Sequence, residues 1–148
     1  MRNYVRAAVR SPEQTIRAKA LQILSSRGIP PRAYMREAKA LHEFVRDQIR
    51  YVRDPVGVEL VQSPEKTLEI GQGDCDDKAT LLAALLEVTG HPARFTVVAF
   101  GGKGFSHVLT ELNFRQGNKF RWIPAETIIP KPLGWFPPGV TDKYSKDI

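Results

Sequence analysis

The stretch that decides the fold is GQGDCDDKATLLAALLEVTG, residues 71–90, which contains the only cysteine of the 148-residue chain. After Cys75 the apolar residues recur at helical spacing over a wide face, so the sequence predicts a helix at the centre of the core. Asp74 is the predicted N-cap, Cys75 the first helical residue, and Gly90 the end. A cysteine at the start of this helix, rather than among its leucines, is a candidate nucleophile.

The predicted position of Cys75 favours its thiolate form. Unpaired backbone N–H groups and the macrodipole at a helix N-terminus favour negative charge, and the same N–H groups can stabilise an oxyanion on a substrate carbonyl. Asp74, Asp76 and Asp77 oppose the thiolate by repulsion. The helix end alone is therefore insufficient, and a cationic base must lie nearby.

Composition indicates one globular domain. The hydrophobic fraction is 42% and the charged fraction 26%, both ordinary for a soluble domain of this length. A single cysteine excludes an intramolecular disulfide and multi-thiolate zinc sites. The sequence shows neither a signal-peptide pattern nor a run of about 20 apolar residues that could span a membrane.

The net charge of +6 is unevenly distributed. Residues 1–53 carry 12 Lys and Arg against 4 Asp and Glu, whereas residues 54–148 carry 10 against 12. Arginines on the solvent face of amphipathic helices explain this pattern, and so does binding to an acidic partner. No nucleic-acid-binding motif accompanies the charge, so we expect no nucleic-acid partner.

The remaining elements predict an α+β fold. Capping signals start helices at Ser11 and Ser63, and apolar spacing predicts another helix over residues 31–50, followed by a loop at RDPVG, residues 53–57. Strands are predicted for ARFTVVAF, FSHVLTELNF and KFRWIPAE, which are residues 93–100, 105–114 and 119–126. We expect three segments: an N-terminal arm (1–10), a domain (11–130), and a Pro/aromatic-rich tail (131–148) laid extended over the body.

Three histidines are available as the base. His42 is interpreted as a surface or boundary residue of the second helix, and His91 as a turn residue after Gly90. His107 lies in a predicted strand, where side chains are held firmly.

The hairpin after His107 decides which acid accompanies it. With a four-residue loop at RQGN, residues 115–118, Glu126 lies directly opposite His107; with a two-residue loop at Gly117-Asn118, Glu126 is a diagonal neighbour on the same face. Only a three-residue loop would turn the two side chains apart. A carboxylate beside an imidazole fixes its tautomer, so the sequence predicts a Cys75–His107–Glu126 triad.

Several motifs together resemble a known family. The segments GDCDDKATLLAALLEVTGHPARF, SHV and WIPAET, with FVRDQIRYVRDP and SPEKTLEIGQGDC upstream, resemble the transglutaminase-like branch of the papain-type cysteine hydrolases over about residues 38–130. The resemblance implies a papain-like core, in which N-terminal helices and a small antiparallel sheet pack on the cysteine-bearing helix. It also implies thiol chemistry on amides, with Cys75 as nucleophile, His107 as base and Glu126 as orienting acid, where the family usually has aspartate.

The implied activity needs neither a cofactor nor a metal. Helix capping explains DCDD more simply than a cation site does. Gln62 and Gln72 are candidate oxyanion donors on chemical grounds alone, and a solvated glutamine is the simpler interpretation of each.

We expect a cysteine peptidase, amidase or acyl transferase that acts on amide or isopeptide bonds of a protein or peptide through a thioester. The alternative is a non-catalytic interaction module that binds protein partners through its basic N-terminal helices, with Arg6, Arg10 and Arg17, and through its C-terminal tail. Small single-domain members of the family occur in bacterial and bacteriophage genomes. The expected location is therefore cytoplasmic or virion-associated, without a signal peptide.

Overall fold

The computed structural model describes residues 11–53 and 62–148. Its helices are α1 (Pro12–Ser26), α2 (Tyr34–Gln48), α3 (Pro64–Ile70) and α4 (Cys75–Val88), and its strands are β1 (Arg50–Tyr51), β2 (Gln72–Gly73), β3 (Ala93–Phe100), β4 (Phe105–Gln116), β5 (Lys119–Ala125) and β6 (Val140–Asp147). The predicted N-terminal arm lies outside the described residues, as does all but Arg53 of the predicted loop after α2. In the described ranges, none of the helices has the length and apolar character needed to cross a membrane.

Helix α4 is the centre of the core, as its apolar pattern predicts. Leu81, Leu82, Leu85 and Leu86 are all completely buried. The helix packs against α1, α2 and α3 and also against strands β3 and β4. The cysteine-bearing helix thus lies between the other helices and the sheet, in the predicted α+β arrangement.

The helix starts confirm the capping signals in the sequence. Ser11 forms a capping box with Gln14, and the side chain of Ser63 accepts a hydrogen bond from the backbone N–H of Lys66. Helix α2 begins at Tyr34, later than the predicted residue 31. Arg32 has a φ of 64°, in the left-handed region that a right-handed helix excludes, so the helix cannot start before it.

The main sheet is antiparallel, with strand order β5-β4-β3-β6. Gln116 pairs with Lys119, so the hairpin has the two-residue loop at Gly117-Asn118, one of the two alternatives that keep His107 and Glu126 on one face. Gly117 has a φ of 63°. A positive φ at the first loop position is what a type II′ turn requires, and glycine adopts it without strain.

The C-terminal segment contributes a strand that the sequence did not predict. Residues 140–147 form β6, which pairs antiparallel with β3 from Arg94↔Asp147 to Phe100↔Val140. Part of the predicted extended tail is thus built into the sheet rather than only laid over it. The division at residue 130 stays a prediction.

Candidate active site

Cys75 is the first residue of α4, and a reciprocal capping box fixes this helix start. The Asp74 side chain accepts a hydrogen bond from the Asp77 backbone N–H at 3.0 Å, and the Asp77 carboxylate accepts one from the Asp74 N–H at 3.1 Å. Asp77 is 1% exposed and also accepts a hydrogen bond from the Gln62 backbone N–H at 3.1 Å. Two of the three aspartates around the thiol therefore serve to hold the helix start.

The segment before Cys75 is held from the other side by a short parallel strand pair. Strand β1 pairs with β2, and the Val52 N–H donates to the Gly73 carbonyl at 2.9 Å. A Cβ atom on Gly73 would lie 2.6 Å from the Asp77 Cβ, which is closer than real atoms approach. Glycine at position 73 is what allows the chain to pass against the capping box.

His107 and Glu126 are in direct contact. The Nε2 atom of His107 lies 2.7 Å from Oε2 of Glu126, and the other carboxylate oxygen accepts a hydrogen bond from the Ile128 N–H at 2.9 Å. Glu126 is completely buried. Burial raises the pKa of its carboxyl group, but the hydrogen bonds from His107 and Ile128 outweigh burial and leave the pKa below its ordinary value. Glu126 is thus ionised at neutral pH.

Cys75 and Glu126 both act on the imidazole of His107. Burial lowers the pKa of His107, but side-chain hydrogen bonds with Cys75 and Glu126, together with their charges, raise it to about 9. Since Glu126 occupies Nε2, Nδ1 is the ring nitrogen that remains for the sulfur. His107 also lines one pocket with Cys75, so the three residues predicted to form the triad are brought together.

A pocket of about 210 Å³ opens at the thiol. Its lining includes Cys75, Asp76, Val97 and the four consecutive residues 105–108 of β4. In a regular strand only alternate side chains share a face. Here the pairing shifts between Val98↔His107 and Ala99↔Phe105, which leaves Ser106 as an extra, bulged residue. The bulge brings neighbouring side chains of β4 to one pocket, and the sequence carried no signal for it.

His42 is buried and contacts the backbone of Glu126, so its interpretation as a surface or boundary residue was wrong. It is 1% exposed, and its Nε2 atom lies 2.6 Å from the backbone oxygen of Glu126. Burial lowers the pKa of His42 below 6.5, against the opposing effect of that hydrogen bond. A neutral imidazole that donates from Nε2 fits this contact, and it ties α2 to the acid of the triad.

Lys78 is a second buried polar residue that the sequence analysis missed. It lies three residues after Cys75, is 2% exposed, and its Nζ donates to the Ile49 carbonyl at 2.7 Å and the Arg46 carbonyl at 3.3 Å. Burial lowers its pKa to about 8. The sequence signal for this role was the position of Lys78 among the apolar residues of α4, because a lysine is almost never fully buried without polar partners. Lys78 joins the first turn of α4 to the C-terminal end of α2.

The remaining candidates lie apart from the pocket as described. The Gln62 side-chain oxygen accepts a hydrogen bond from the Thr67 hydroxyl at 3.4 Å, and Gln72 lies in β2. Neither borders the pocket at Cys75, so their oxyanion roles stay predictions. His91 follows Gly90 as expected, but it is buried, with its Nε2 atom 3.2 Å from the Glu37 carboxylate.

Comparisons with known proteins agree with this architecture. The model of the transglutaminase-like superfamily matches residues 22–127. Among solved structures, calcium-bound LapG of Legionella pneumophila is 18% identical with a TM-score of 0.64, over 90% of this chain and 75% of that one. A candidate cysteine protease from Cytophaga hutchinsonii is 18% identical with a TM-score of 0.58, over 92% of this chain and 46% of that one. A search of curated proteins found no match.

Proposed function

The chain belongs to the transglutaminase-like superfamily, and from this premise we propose that it is a cysteine-dependent hydrolase or acyl transferase acting on amide or isopeptide bonds. One observation carries the proposal: His107 lines one pocket with the helix-start thiol of Cys75, and its Nε2 atom contacts the buried carboxylate of Glu126. The substrate is a protein or peptide.

In the first half of the reaction, the sulfur of Cys75 attacks the amide carbonyl carbon as a thiolate paired with the His107 imidazolium. Charge develops on the carbonyl oxygen, and the backbone N–H of Cys75 at the start of α4 is a suitable donor to it. His107 then gives its proton to the leaving nitrogen, and the C–N bond breaks. The products of this half are a free amine and a thioester on Cys75.

In the second half, His107 acts as the base. It takes a proton from water or from an incoming amine, which attacks the thioester carbonyl. The C–S bond breaks, the acid or new amide leaves, and the thiolate–imidazolium pair is restored. Throughout, Glu126 keeps the imidazole oriented and stabilises its charged form, as the carboxylate of a triad does.

Alkylation by iodoacetamide tests the proposal, because the single cysteine makes the mass of the intact protein a direct readout of Cys75. We expect Cys75 to react faster than a free thiol at pH 6–7, where a free thiol is mostly protonated. His107→Gln should lower the rate toward that of the free thiol. Equal rates for the wild type, His107→Gln and the free thiol would contradict the proposal.

A matched experiment separates catalysis from a purely structural role. Cys75→Ala should abolish release of an amine from a casein or glutamine-peptide substrate while leaving the thermal midpoint close to that of the wild type. If Cys75→Ala leaves every activity unchanged, the non-catalytic interaction module becomes the better account, including a place in a bacteriophage assembly.

A further inference from the structure

We propose that Phe105, with Val97 and Val108, forms a subsite for an apolar group on the acyl side of the substrate carbonyl. The inference rests on the proposed function and names the class of substrate: peptides or proteins with an apolar side chain next to the reacting amide.

Phe105 is a large aromatic residue left open to solvent at the reactive centre. It is 53% exposed, lies two residues before His107, and lines the same pocket as Cys75. Single exposed apolar residues are common on protein surfaces and need no explanation by themselves. The position of Phe105 beside the thiol is what distinguishes it.

The apolar part of the pocket lining comes from two paired strands, and Cys75, Asp76, Ser106 and His107 form its polar part. Val97 of β3 pairs with Val108 of β4, both are half-buried, and both line the pocket with Phe105. The bulge at Ser106 is what lets Phe105 and Val108 border one cavity with His107 between them. Phe105 and Val108 are therefore held on the same strand as His107, and Val97 on the strand paired with it.

The size of the pocket limits its occupant. At about 210 Å³ it is smaller than the roughly 300–1,000 Å³ of sites that enclose a whole drug-sized ligand. A single side chain of an extended peptide fits this space. An apolar one that covers Phe105 and the two valines removes apolar surface from water, so it is preferred over a hydroxymethyl group. Pocket contacts of this kind are worth about tenfold or more in specificity.

Phe120 provides a matched control. It is 67% exposed and lies in β5 near the hairpin loop, where the guanidinium of Arg115 lies 5.9 Å from its ring centroid. Phe120 is absent from the lining described for the pocket at Cys75. Replacing either phenylalanine with serine removes a similar exposed ring, but only one of the two rings faces the site of reaction.

The experiment uses two peptidyl chloromethyl ketones that differ only in the residue carrying the ketone, phenylalanine or serine. The rate of Cys75 alkylation is followed by intact mass for the wild type, Phe105→Ser, Phe105→Leu and Phe120→Ser. We expect the wild type to react about tenfold faster with the phenylalanine probe. Phe105→Ser should lose this preference, whereas Phe105→Leu and Phe120→Ser should keep it, and iodoacetamide should alkylate Phe120→Ser as fast as the wild type.

The outcomes separate this subsite from the proposed function. Absence of a preference in the wild type, or a preference that survives Phe105→Ser, overturns the subsite, while fast iodoacetamide labelling of Cys75 still supports the thiol chemistry. If no reagent reacts with Cys75 faster than with a free thiol, both proposals fall. If Phe105→Ser unfolds, Phe105→Leu is the deciding variant. A subsite that needs only an apolar side chain keeps its preference for the phenylalanine probe when leucine replaces Phe105. Loss of that preference in Phe105→Leu therefore overturns the proposal.

Discussion

The imidazole Nε2 of His107 lies 2.7 Å from the Glu126 carboxylate, although the β4–β5 register, extended one residue beyond its last pair, Thr110↔Ala125, sets Glu126 opposite Leu109 and leaves His107 diagonal to it. Diagonal positions on antiparallel strands are about 7–8 Å apart, compared with about 4.5–5.5 Å for opposed ones. The longer side chain of glutamate spans that separation. This geometry gives a physical reason for glutamate where the family usually has aspartate.

Glu126→Gln should lower the pKa of His107. In the wild type we expect the His107 ring to titrate near pH 9, because hydrogen bonds and charges from Cys75 and Glu126 outweigh burial. The glutamine amide carries no charge, so it opposes the lowering of the His107 pKa by burial less than the carboxylate does. The pKa of His107 should therefore move toward 6.5. Histidine ring NMR across pH 5–10 measures the pKa of His107, with Glu65→Gln, a change in α3 away from the pocket at Cys75, as control.

Glu126→Asp should keep the charge but lengthen the contact with His107. The pKa of His107 in Glu126→Asp should lie between its values in the wild type and in Glu126→Gln. Alkylation of Cys75 near pH 7 should slow less in Glu126→Asp than in Glu126→Gln. If the pKa of His107 in Glu126→Asp lies at or below its value in Glu126→Gln, the explanation that glutamate is needed to span the diagonal separation is wrong.

Local chemistry explains why much of the site could be predicted from sequence. Capping is decided within four residues, so Asp74 and Asp77 fix Cys75 at the start of α4 before any tertiary contact is known. Strand parity is similarly local: a two-residue and a four-residue loop both place His107 and Glu126 on one face, so the prediction did not depend on which of these two loops forms. The roles of the three residues in catalysis stay predictions.

The features that were missed depend on long-range packing. Strand β6 pairs with β3 between residues 40 to 53 positions apart, and no local signal in VTDKYSKD distinguishes an edge strand from an extended tail. The burial of His42 and Lys78 follows from where α2 lies against α4 and Glu126. Spacing within one helix cannot show which element will cover its polar positions.

A comparison of His42→Met with His42→Gln should separate the effect of the His42 hydrogen bond on stability from the effect of its side-chain volume. Gln keeps an N–H donor for the Glu126 carbonyl, whereas Met has a similar shape and no donor. Leaving that buried carbonyl unpaired costs about 1–3 kcal/mol. We expect His42→Met to lose that much stability in urea unfolding and to slow Cys75 alkylation, and His42→Gln to recover much of both.

The wild type should also lose stability in acid relative to His42→Met. Burial lowers the pKa of His42 in the folded protein, so below pH 6.5 the unfolded chain binds a proton that the folded chain resists. The stability difference between wild type and variant should therefore narrow as the pH falls from 7 to 5. A constant difference would mean that His42 is not neutral in the folded protein.

Lys78→Met should change how stability depends on alkaline pH. The folded pKa of Lys78 is about 8, below the ordinary 10.5, because burial disfavours the ammonium form. Between these values the unfolded chain binds more protons, so the stability contributed by Lys78 rises with pH, by up to about 3 kcal/mol. Urea unfolding at pH 7 and pH 10.5 should show this gain for the wild type relative to Lys78→Met. The exposed Lys66→Met is the control, and a gain of the same size there would contradict the assignment.

Gly73→Ala should disturb the start of the nucleophile helix. The added Cβ would lie 2.6 Å from the Asp77 Cβ, and Asp77 cannot retreat without weakening its hydrogen bonds to the Asp74 and Gln62 N–H groups. Overpacking of this kind costs about 1–3 kcal/mol. Because the capping box positions Cys75, thiol alkylation should slow in the same variant.

Gly71→Ala is the control. It adds a Cβ with nothing within 4 Å, but at a φ of 75°. It should therefore lower stability through backbone strain alone and leave alkylation of the folded protein unchanged. Equal alkylation rates for both variants would show that the contact between Gly73 and Asp77 does not position the thiol.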